Sequence, residues 1–397
     1  MLTADKYRVE SIDTLRGIVM IIMALDHVRD YFHITANTDD PLNLLTTTPL
    51  LFLTRWITHF CAPVFVFLSG TSIYLQSLRK TKKELSLFLF KRGLWLIFLE
   101  IAIVTFGWSF NPMYNTIFLQ VIWAIGISMI ILGVLIHLPF KVMLFIGLAI
   151  VFGHNLLDIP ESAQNFRAGF LWDLFHHGHF APYALSEHHT ILIIYPFVAW
   201  TGTMILGYCI GVWFQLDTPV MTRRKNLFLL GSILILIFIA LRFTNIYGDP
   251  EDWTVQKNGL LSFFSFLDVN KYPPSLLFLC MTIGPALLAL SWLELVKNRL
   301  TKILNIYGRV ALFYYVAHIY VMHLFCVIAF FLRGHTLDEA YNPTSHFPFY
   351  FLIPGEGYSL GVVYLIWVFL ILMLYPVCKW YDNYKTNHRE KWWLSYL

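Results

Sequence analysis

Long apolar segments recur along almost the whole chain and constrain its fold more than any other feature. A helix needs roughly 20 apolar residues to cross the hydrocarbon core of a bilayer, and about ten segments reach or approach that length. They are 12–33, 50–77, 93–110, 118–138, 141–157, 190–214, 226–244, 275–296, 310–332 and 358–381. Only 13% of the residues are charged, whereas a soluble domain carries about a quarter. We therefore predict an all-α fold: a polytopic membrane helix bundle forming one domain over residues 1–397.

Lysine and arginine are distributed unevenly between the two sides of the predicted membrane. One side of the membrane would hold both termini and the connections that follow the second, fourth, sixth and eighth spans. This side holds 21 of the 28 Lys and Arg residues. Because cytoplasmic loops carry such an excess, both termini are predicted to be cytoplasmic. The long loops at about 34–49, 158–189, 245–274 and 333–357 then face outward. The net charge of +4 is modest and gives no indication of a nucleic-acid partner.

The N-terminal sequence and the cysteines indicate the membrane in which the protein is expected. The N-terminus is polar and shows no small-residue cleavage site, so no cleavable signal peptide is expected. The five cysteines lie in apolar stretches without a CxxC pair, which favours buried thiols over disulfides. A chain without targeting additions favours the inner membrane of a bacterium, and the sequence allows a homodimer.

The first predicted span contains an unusual density of ionisable residues. They are Asp13, Arg16, Asp26, His27, Arg29 and Asp30. Charged groups at membrane depth are costly and usually face a cavity or a partner. Taken alone, an arginine at the cytoplasmic boundary also serves as a topology anchor, and a histidine near the outer end also suits the interface. The occurrence of both on one helix favours a functional site.

The spacing between Arg16 and His27 indicates what that site could hold. The two residues are 11 positions apart, so they share nearly one helical face, with a separation of about 16 Å along the axis. Arg16 can bind a phosphate at the cytoplasmic mouth, and His27 can act as a general base deeper in the membrane. Coenzyme A, with a phosphate-bearing head and a long thin arm, has the shape to span both. Asp30 lies three residues beyond His27 and could orient its imidazole.

These residues resemble a known superfamily of transmembrane acyltransferases. Arg16 and His27, with ten residues between them, resemble the Arg-x10-His motif of the acyltransferase-3 family. The string Ser11-Ile-Asp-Thr-Leu-Arg-Gly17 is similar to the opening of the heparan-alpha-glucosaminide N-acetyltransferase family and its bacterial relatives. Further similar segments are Pro63–Gly70, Lys91-Arg92, Lys271–Leu277 and Gly308–Tyr315.

The resemblance implies transfer of an acyl group, expected to be acetyl, from cytosolic acyl-CoA to a sugar or amino-sugar acceptor outside the cell. The residues expected to hold the CoA head are Asp13, Arg16, Lys91 and Arg92. His27 would act as base or as transient acyl carrier. In the lysosomal members the catalytic histidine lies in the loop after the first span, where His33 is the nearest candidate here. The catalytic residue is therefore His27 or His33, and we prefer His27.

Residues predicted to contact the acceptor lie in later segments. They are His59, Lys271, Tyr272 and His318. His59 could face His27 across a helix pair, and the aromatic ring of Tyr272 suits a sugar. A satisfied interior histidine is the equal alternative for His59, and core packing is the alternative for His318. Glu100, inside the third span, is either a site residue or a structural partner for a backbone donor.

The outer loop at 158–189 is crowded with histidines. They are His176, His177, His179, His188 and His189. A His-His-x-His spacing suggests zinc, but the sequence shows no ordered helix or acidic partner to fix the ligands, so no metal is predicted.

A transporter of a small anion or sugar is the alternative function, since the same buried polar residues could line a pathway. The lack of an internal repeat argues against it.

Overall fold

Helices dominate the computed structural model, which describes residues 8–341, 348–388 and 390–395. The α-helices are α1 (Glu10–Phe32), α2 (Pro49–Thr58), α3 (Cys61–Ser77), α4 (Lys82–Leu99), α5 (Thr105–Ser109), α6 (Val121–Leu135), α7 (Phe140–Gly153), α8 (Asp158–Glu161), α9 (Phe170–Trp172), α10 (Phe197–Ile210), α11 (Val220–Thr244), α12 (Gly259–Leu267), α13 (Leu276–Leu293), α14 (Arg299–Arg309), α15 (Ala311–Leu332), α16 (Leu337–Ala340) and α17 (Leu360–Asn387). Two π-helical turns are Glu100–Val104 and Asp173–His177, and three 3₁₀ turns are His154–Leu157, Gly211–Phe214 and Trp392–Ser395.

Seven helical segments of the described chain are long and apolar enough to cross a membrane. They are Pro49–Ser77, Phe140–Glu161, Phe197–Phe214, Val220–Thr244, Leu276–Leu293, Ala311–Leu332 and Leu360–Asn387. The protein is therefore a helical integral membrane protein. The other three predicted spans differ from these seven. Helix α1 is continuous but contains several charged residues, α4 continues through a π-helical turn into α5, and α6 is short, with 15 residues. The count of ten and the cytoplasmic termini stay predictions.

A small three-stranded sheet departs from the all-α prediction. Its strands are β1 (Thr116–Leu119), β2 (Ala181–Ala184) and β3 (Thr190–Ile193), with β3 in the centre, parallel to β1 and antiparallel to β2. The predicted spans 118–138 and 190–214 consequently start later, at α6 and α10. Short apolar runs fit a buried strand as well as a helix, so their periodicity could not separate the two.

Helix α1 lies at the centre of the bundle and contacts α2, α3, α13, α14, α15 and α17. Its closest approach is to α14, where two glycines meet. A Cβ on Gly17 would lie 2.0 Å from the carbonyl oxygen of Leu304, and one on Gly308 would lie 1.9 Å from that of Asp13. The helices therefore touch backbone to backbone, as small residues allow in membrane bundles. This crossing explains why glycine follows Arg16, and it fixes Arg16 beside α14.

Candidate functional site

A cavity of about 890 Å³ lies between α1, α2, α3, the sheet and the loops at 34–49 and 245–274. Its size is at the upper end of the range for small-molecule and cofactor sites. Exposed residues such as Asp40 and Glu251 form its outer rim, and Val19 and Met20 of α1 line its inner part. Met20 lies one helical turn beyond Arg16, so the cavity approaches the predicted CoA-binding end.

His27 lies on the wall of this cavity, and a second histidine holds its ring. His27 Nδ1 is 2.8 Å from Nε2 of His318, and His318 Nδ1 is 3.0 Å from the carbonyl oxygen of Tyr314. Because a carbonyl only accepts, Nδ1 of neutral His318 carries its proton and Nε2 accepts from His27. His27 then keeps the lone pair on Nε2, the state that a general base requires.

His318 has a different place from the one predicted. Its side chain is 0% exposed and lies behind His27, and the cavity is lined instead by its neighbours on α15, Leu312 and Tyr315. The predicted contact between His318 and an acceptor is therefore corrected: the histidine contacts the His27 ring. Sequence spacing gave no sign of this pairing, since the two residues lie 291 positions apart.

The other two predicted catalytic residues make their hydrogen bonds with partners other than His27, although Asp30 also lines the cavity. Asp30 accepts a 2.5 Å hydrogen bond from Nη2 of Arg29, so the prediction that it orients His27 is replaced by pairing with Arg29. His33 caps the C-terminal end of α1, and its Nδ1 lies 3.0 Å from Oγ1 of Thr35. His27 lines the cavity and His33 does not.

A buried ion-pair network beside His27 was not assigned from the sequence. Asp26 accepts two hydrogen bonds from Nη1 of Arg55, at 2.9 and 2.7 Å, and one of 2.8 Å from Oγ1 of Thr58. Nη2 of Arg29 lies 2.8 Å from Asp26 Oδ1. Asp26 and Arg55 also line the cavity. The sequence contained one signal for this network: Arg55 is the single arginine in the second apolar segment, and an arginine at membrane depth needs a buried partner.

Three of the four residues predicted to contact the acceptor line the cavity: His59, Lys271 and Tyr272. His59 is 1% exposed, and neither of its ring nitrogens has a hydrogen-bond partner in the described chain. A buried orphan of this kind requires a water or a ligand. Lys271 Nζ lies 5.0 Å from the centre of the Tyr272 ring, and Tyr272 stacks on His179. The wall thus combines donors, a cation and aromatic faces.

The outer rim of the cavity is acidic. Asp40, Glu251 and Asp268 line it. Burial and the negative charges of Asp40, Glu251 and Asp249 raise the pKa of Asp268 to about 7, although Arg242 opposes the shift. A rim of carboxylates attracts cations, and its charge changes close to neutral pH.

The catalytic domain of heparan-alpha-glucosaminide N-acetyltransferase matches residues 8–239, which is more than half of the chain. The chain belongs to this family. The predicted resemblance is thereby confirmed, and the protein is an integral membrane acetyltransferase of the heparan-alpha-glucosaminide N-acetyltransferase type. A comparison with curated proteins gives no significant match.

The N-terminal end of α1 lies among basic residues in this family member. Arg16 donates to Ser72 Oγ at 2.7 Å and to the carbonyl oxygen of Gly308 at 3.3 Å. It also pairs with Asp13 at 3.2 Å, and Asp13 bonds Arg8 as well. The charges of Arg8, Arg16 and Arg92 all act on Lys385 of α17.

Two of these basic residues, Arg8 and Lys385, were missing from the predicted set. Arg8 immediately precedes α1 and pairs with Asp13, whereas Lys385 lies near the other end of the chain and reaches α1 through the packing of α17. Lys91 is exposed on α4 next to Arg92. The structure therefore groups Asp13, Arg16 and Arg92 and leaves Lys91 on the nearby surface.

Glu100 has a structural role in the described contacts. Its carboxylate is 0% exposed within a π-helical turn, and Oε2 accepts a 2.9 Å hydrogen bond from the backbone N–H of Trp123. This agrees with the interpretation of Glu100 as a partner for a backbone donor.

Proposed function

We propose that this member of the heparan-alpha-glucosaminide N-acetyltransferase family transfers an acetyl group from acetyl-CoA to an amine or hydroxyl acceptor on the outer side. The observation that carries the proposal is the His27–His318 pair, which leaves a lone pair on a cavity wall between a basic end and an acidic rim. Arg16 and His27 are separated by about 16 Å of helix, which suits the long arm of CoA.

The proposed donor site is the basic group at the inner end of α1. Arg16 and Arg92, with Arg8 and Lys385 nearby, would bind the CoA phosphates. Asp13 would hold Arg16 in place through their ion pair, and exposed Lys91 would add positive charge at the entrance. The pantetheine arm would then run past Met20 into the cavity.

In the proposed reaction His27 Nε2 takes the proton of the acceptor as the acceptor nitrogen or oxygen bonds to the thioester carbonyl carbon. The C–S bond then breaks, and His27 returns the proton to the thiolate of CoA. A second route uses the same lone pair: Nε2 bonds to the thioester carbonyl carbon, the C–S bond breaks and CoA leaves as its thiolate. The acceptor nitrogen or oxygen then bonds to that carbonyl carbon, the bond from the carbon to Nε2 breaks, and the acceptor proton goes to the thiolate. In both routes Lys271, whose charge acts on His27, would stabilise the developing oxyanion.

The acceptor that best suits the outer part of the cavity is an amino sugar. The rim carboxylates would attract an ammonium group, His59 would hydrogen-bond a sugar hydroxyl, and Tyr272 offers an aromatic face. The predicted placement in a bacterial inner membrane, with ten spans and cytoplasmic termini, puts this acceptor in the cell envelope. The excess of Lys and Arg on one side supports that topology.

The test is thiol release from acetyl-CoA by the purified full chain in detergent, with and without glucosamine-type acceptors. We expect stimulation by the acceptor and loss of about 10²- to 10⁴-fold in His27→Ala, the usual contribution of a general base. CoA binding should persist in that variant. His33→Ala is the matched control, since His33 does not line the cavity.

Unchanged turnover in His27→Ala would contradict the catalytic role. Substrate flux across vesicles without CoA would support the transporter interpretation instead. The match of more than half of the chain to an acetyltransferase family favours the enzyme.

A further inference from the structure

Four side chains converge at the outer end of α7, apart from the proposed transfer cavity. Nδ1 of His154 lies 3.1 Å from Nε2 of His176, and that same Nε2 lies 3.9 Å from Oδ1 of Asp158. The other ring nitrogen of His176, Nδ1, lies 2.9 Å from Oε1 of Glu161. His154, Asp158 and Glu161 follow α7 directly, and His176 enters from the π-helical turn Asp173–His177.

The cluster is largely closed to solvent. His176 is 0% exposed and His154 is 4% exposed, and the Glu161 side chain is 8% exposed. Nε2 of His154 has no hydrogen-bond partner in the described chain. Two buried imidazoles beside two half-buried carboxylates are costly to desolvate unless something binds them.

The distances suit a bound transition-metal ion. Zinc bonds nitrogen and oxygen at about 2.0–2.2 Å, which puts neighbouring ligand atoms of a tetrahedral site about 3.3 Å apart. Nε2 of His176 lies 3.1 Å from Nδ1 of His154 and 3.9 Å from Oδ1 of Asp158, on either side of that value. Ligand atoms of Asp158, Glu161 and His176 all lie within 4.8 Å of one another, so His154 and Asp158 would close on the ion from the two sides of His176.

The surrounding hydrogen bonds are those that metal ligands usually have. A metal-bound histidine commonly donates its other N–H to a carboxylate. Glu161 takes this place for His176, and its Oε1 is held by Nε1 of Trp172 at 2.7 Å. Oδ2 of Asp158 accepts from Nδ2 of Asn155 at 2.7 Å, which leaves Oδ1 as the ligand atom.

We propose that His154 Nδ1, His176 Nε2 and Asp158 Oδ1 bind a divalent zinc-class cation, with Glu161 orienting His176. Two imidazoles and one carboxylate favour zinc over calcium or magnesium, which prefer oxygen ligands. The prediction that the outer histidines hold no metal relied on the lack of an acidic partner. The structure supplies Asp158 and Glu161 from the start of the same loop, where they had not been considered as partners of the histidines.

The ion would brace the outer wall of the cavity. Asn155, which holds Asp158, also accepts a 2.8 Å hydrogen bond from the backbone N–H of Leu276, shortly after Lys271 and Tyr272. His179, three residues after His176, lines the cavity. The proposed site therefore joins the 158–189 loop to the start of α13, and its binding test does not depend on the proposed acetyl transfer.

The first test is metal content. The full chain in detergent is stripped with a chelator, reloaded with zinc, desalted and measured by elemental mass spectrometry. We expect about one zinc per chain, and at least a tenfold lower content in His176→Ala, His154→Ala and Asp158→Asn. His188→Ala, an exposed histidine in the same loop, is the matched control and should retain the metal. The proposal would be overturned if the wild-type protein retained no zinc, or if the cluster variants retained as much zinc as His188→Ala.

Cobalt loading of the wild-type chain provides a test that does not depend on a variant folding. Tetrahedral Co²⁺ bound by two histidines and a carboxylate should give visible absorption, and added zinc should displace it. A spectrum identical to that of cobalt in buffer would overturn the site. The Tm of stripped wild type should also rise with zinc, and the Tm of His176→Ala should not. Equal rises would assign the effect to other residues.

Discussion

Replacing His318 tests the proposed role of the histidine pair most directly. In His318→Phe the ring of similar shape has no nitrogen, so Nδ1–H of His27 loses the acceptor that lies 2.8 Å away. His318 is fully buried, and within the described part of the chain no other acceptor lies within hydrogen-bond distance of that nitrogen. The proton can then move to Nε2, which removes the lone pair from the catalytic atom.

The size of the effect follows from the cost of an unsatisfied buried donor. That cost is about 1–3 kcal/mol, and each 1.36 kcal/mol is tenfold in rate, so kcat should fall by about 5- to 150-fold. The KM for acetyl-CoA should stay nearly constant, since His318 does not line the cavity. His318→Gln, which restores an acceptor oxygen, should recover part of the rate.

The assay is acceptor-stimulated thiol release over a range of acetyl-CoA and acceptor concentrations, with CoA binding measured separately as a check on folding. A His318→Phe enzyme with wild-type kcat would refute the positioning role. A raised KM for the acceptor with unchanged kcat would restore the predicted contact between His318 and the acceptor.

Three further predictions concern the inner end, the rim and the helix crossing. Arg16→Ala should raise the KM for acetyl-CoA by about 10-fold or more, because a charge-assisted bond contributes about 1.5–3 kcal/mol; unchanged KM would remove Arg16 from the donor site. Asp268 gains its negative charge as the pH rises through its pKa of about 7, so inhibition by a quaternary-ammonium sugar analogue, whose own charge does not titrate, should strengthen from pH 6 to 8. Asp268→Asn should flatten that dependence, and an identical profile would contradict the role of the rim. Gly308→Ala should lower stability by about 1–3 kcal/mol through overpacking, whereas Gly153→Ala, with nothing within 4 Å of the added Cβ, should not; equal melting temperatures would refute the crossing.

The helical membrane bundle could be predicted because each apolar segment is contained in one stretch of sequence, and the Arg16–His27 site stays a prediction. The apolar segments and the Arg16–His27 spacing could be read because helical geometry relates positions within a helix. Asp30 shows the limit of that reasoning: the i+3 spacing from His27 was right, yet the adjacent Arg29 competes for its carboxylate. Sequence spacing predicts which residues are close together on a helix. The hydrogen bond of the Asp30 carboxylate, however, forms with the charged Arg29.

Contacts between distant segments could not be predicted in this way. His318, Arg55 and Lys385 reach α1 from other helices, and no local spacing connects them to it. The surroundings of His176 could not be predicted for the same reason, since its neighbours His154, Asp158 and Glu161 lie outside the group of five loop histidines. The sheet was missed because short apolar strands resemble parts of longer helices.

One contact accounts for both the position of Arg16 and that of His27. Gly308 packs against the backbone of α1 near Asp13 and accepts a hydrogen bond from Arg16. Ten residues later along the same segment, His318 meets His27, which is 11 residues beyond Arg16. The segment from Gly308 to His318 therefore runs alongside α1 and contacts it at both ends of the proposed site. A side chain at Gly308 would push the two segments apart, so Gly308→Ala should raise the KM for acetyl-CoA and lower kcat together, whereas His318→Phe should lower kcat alone.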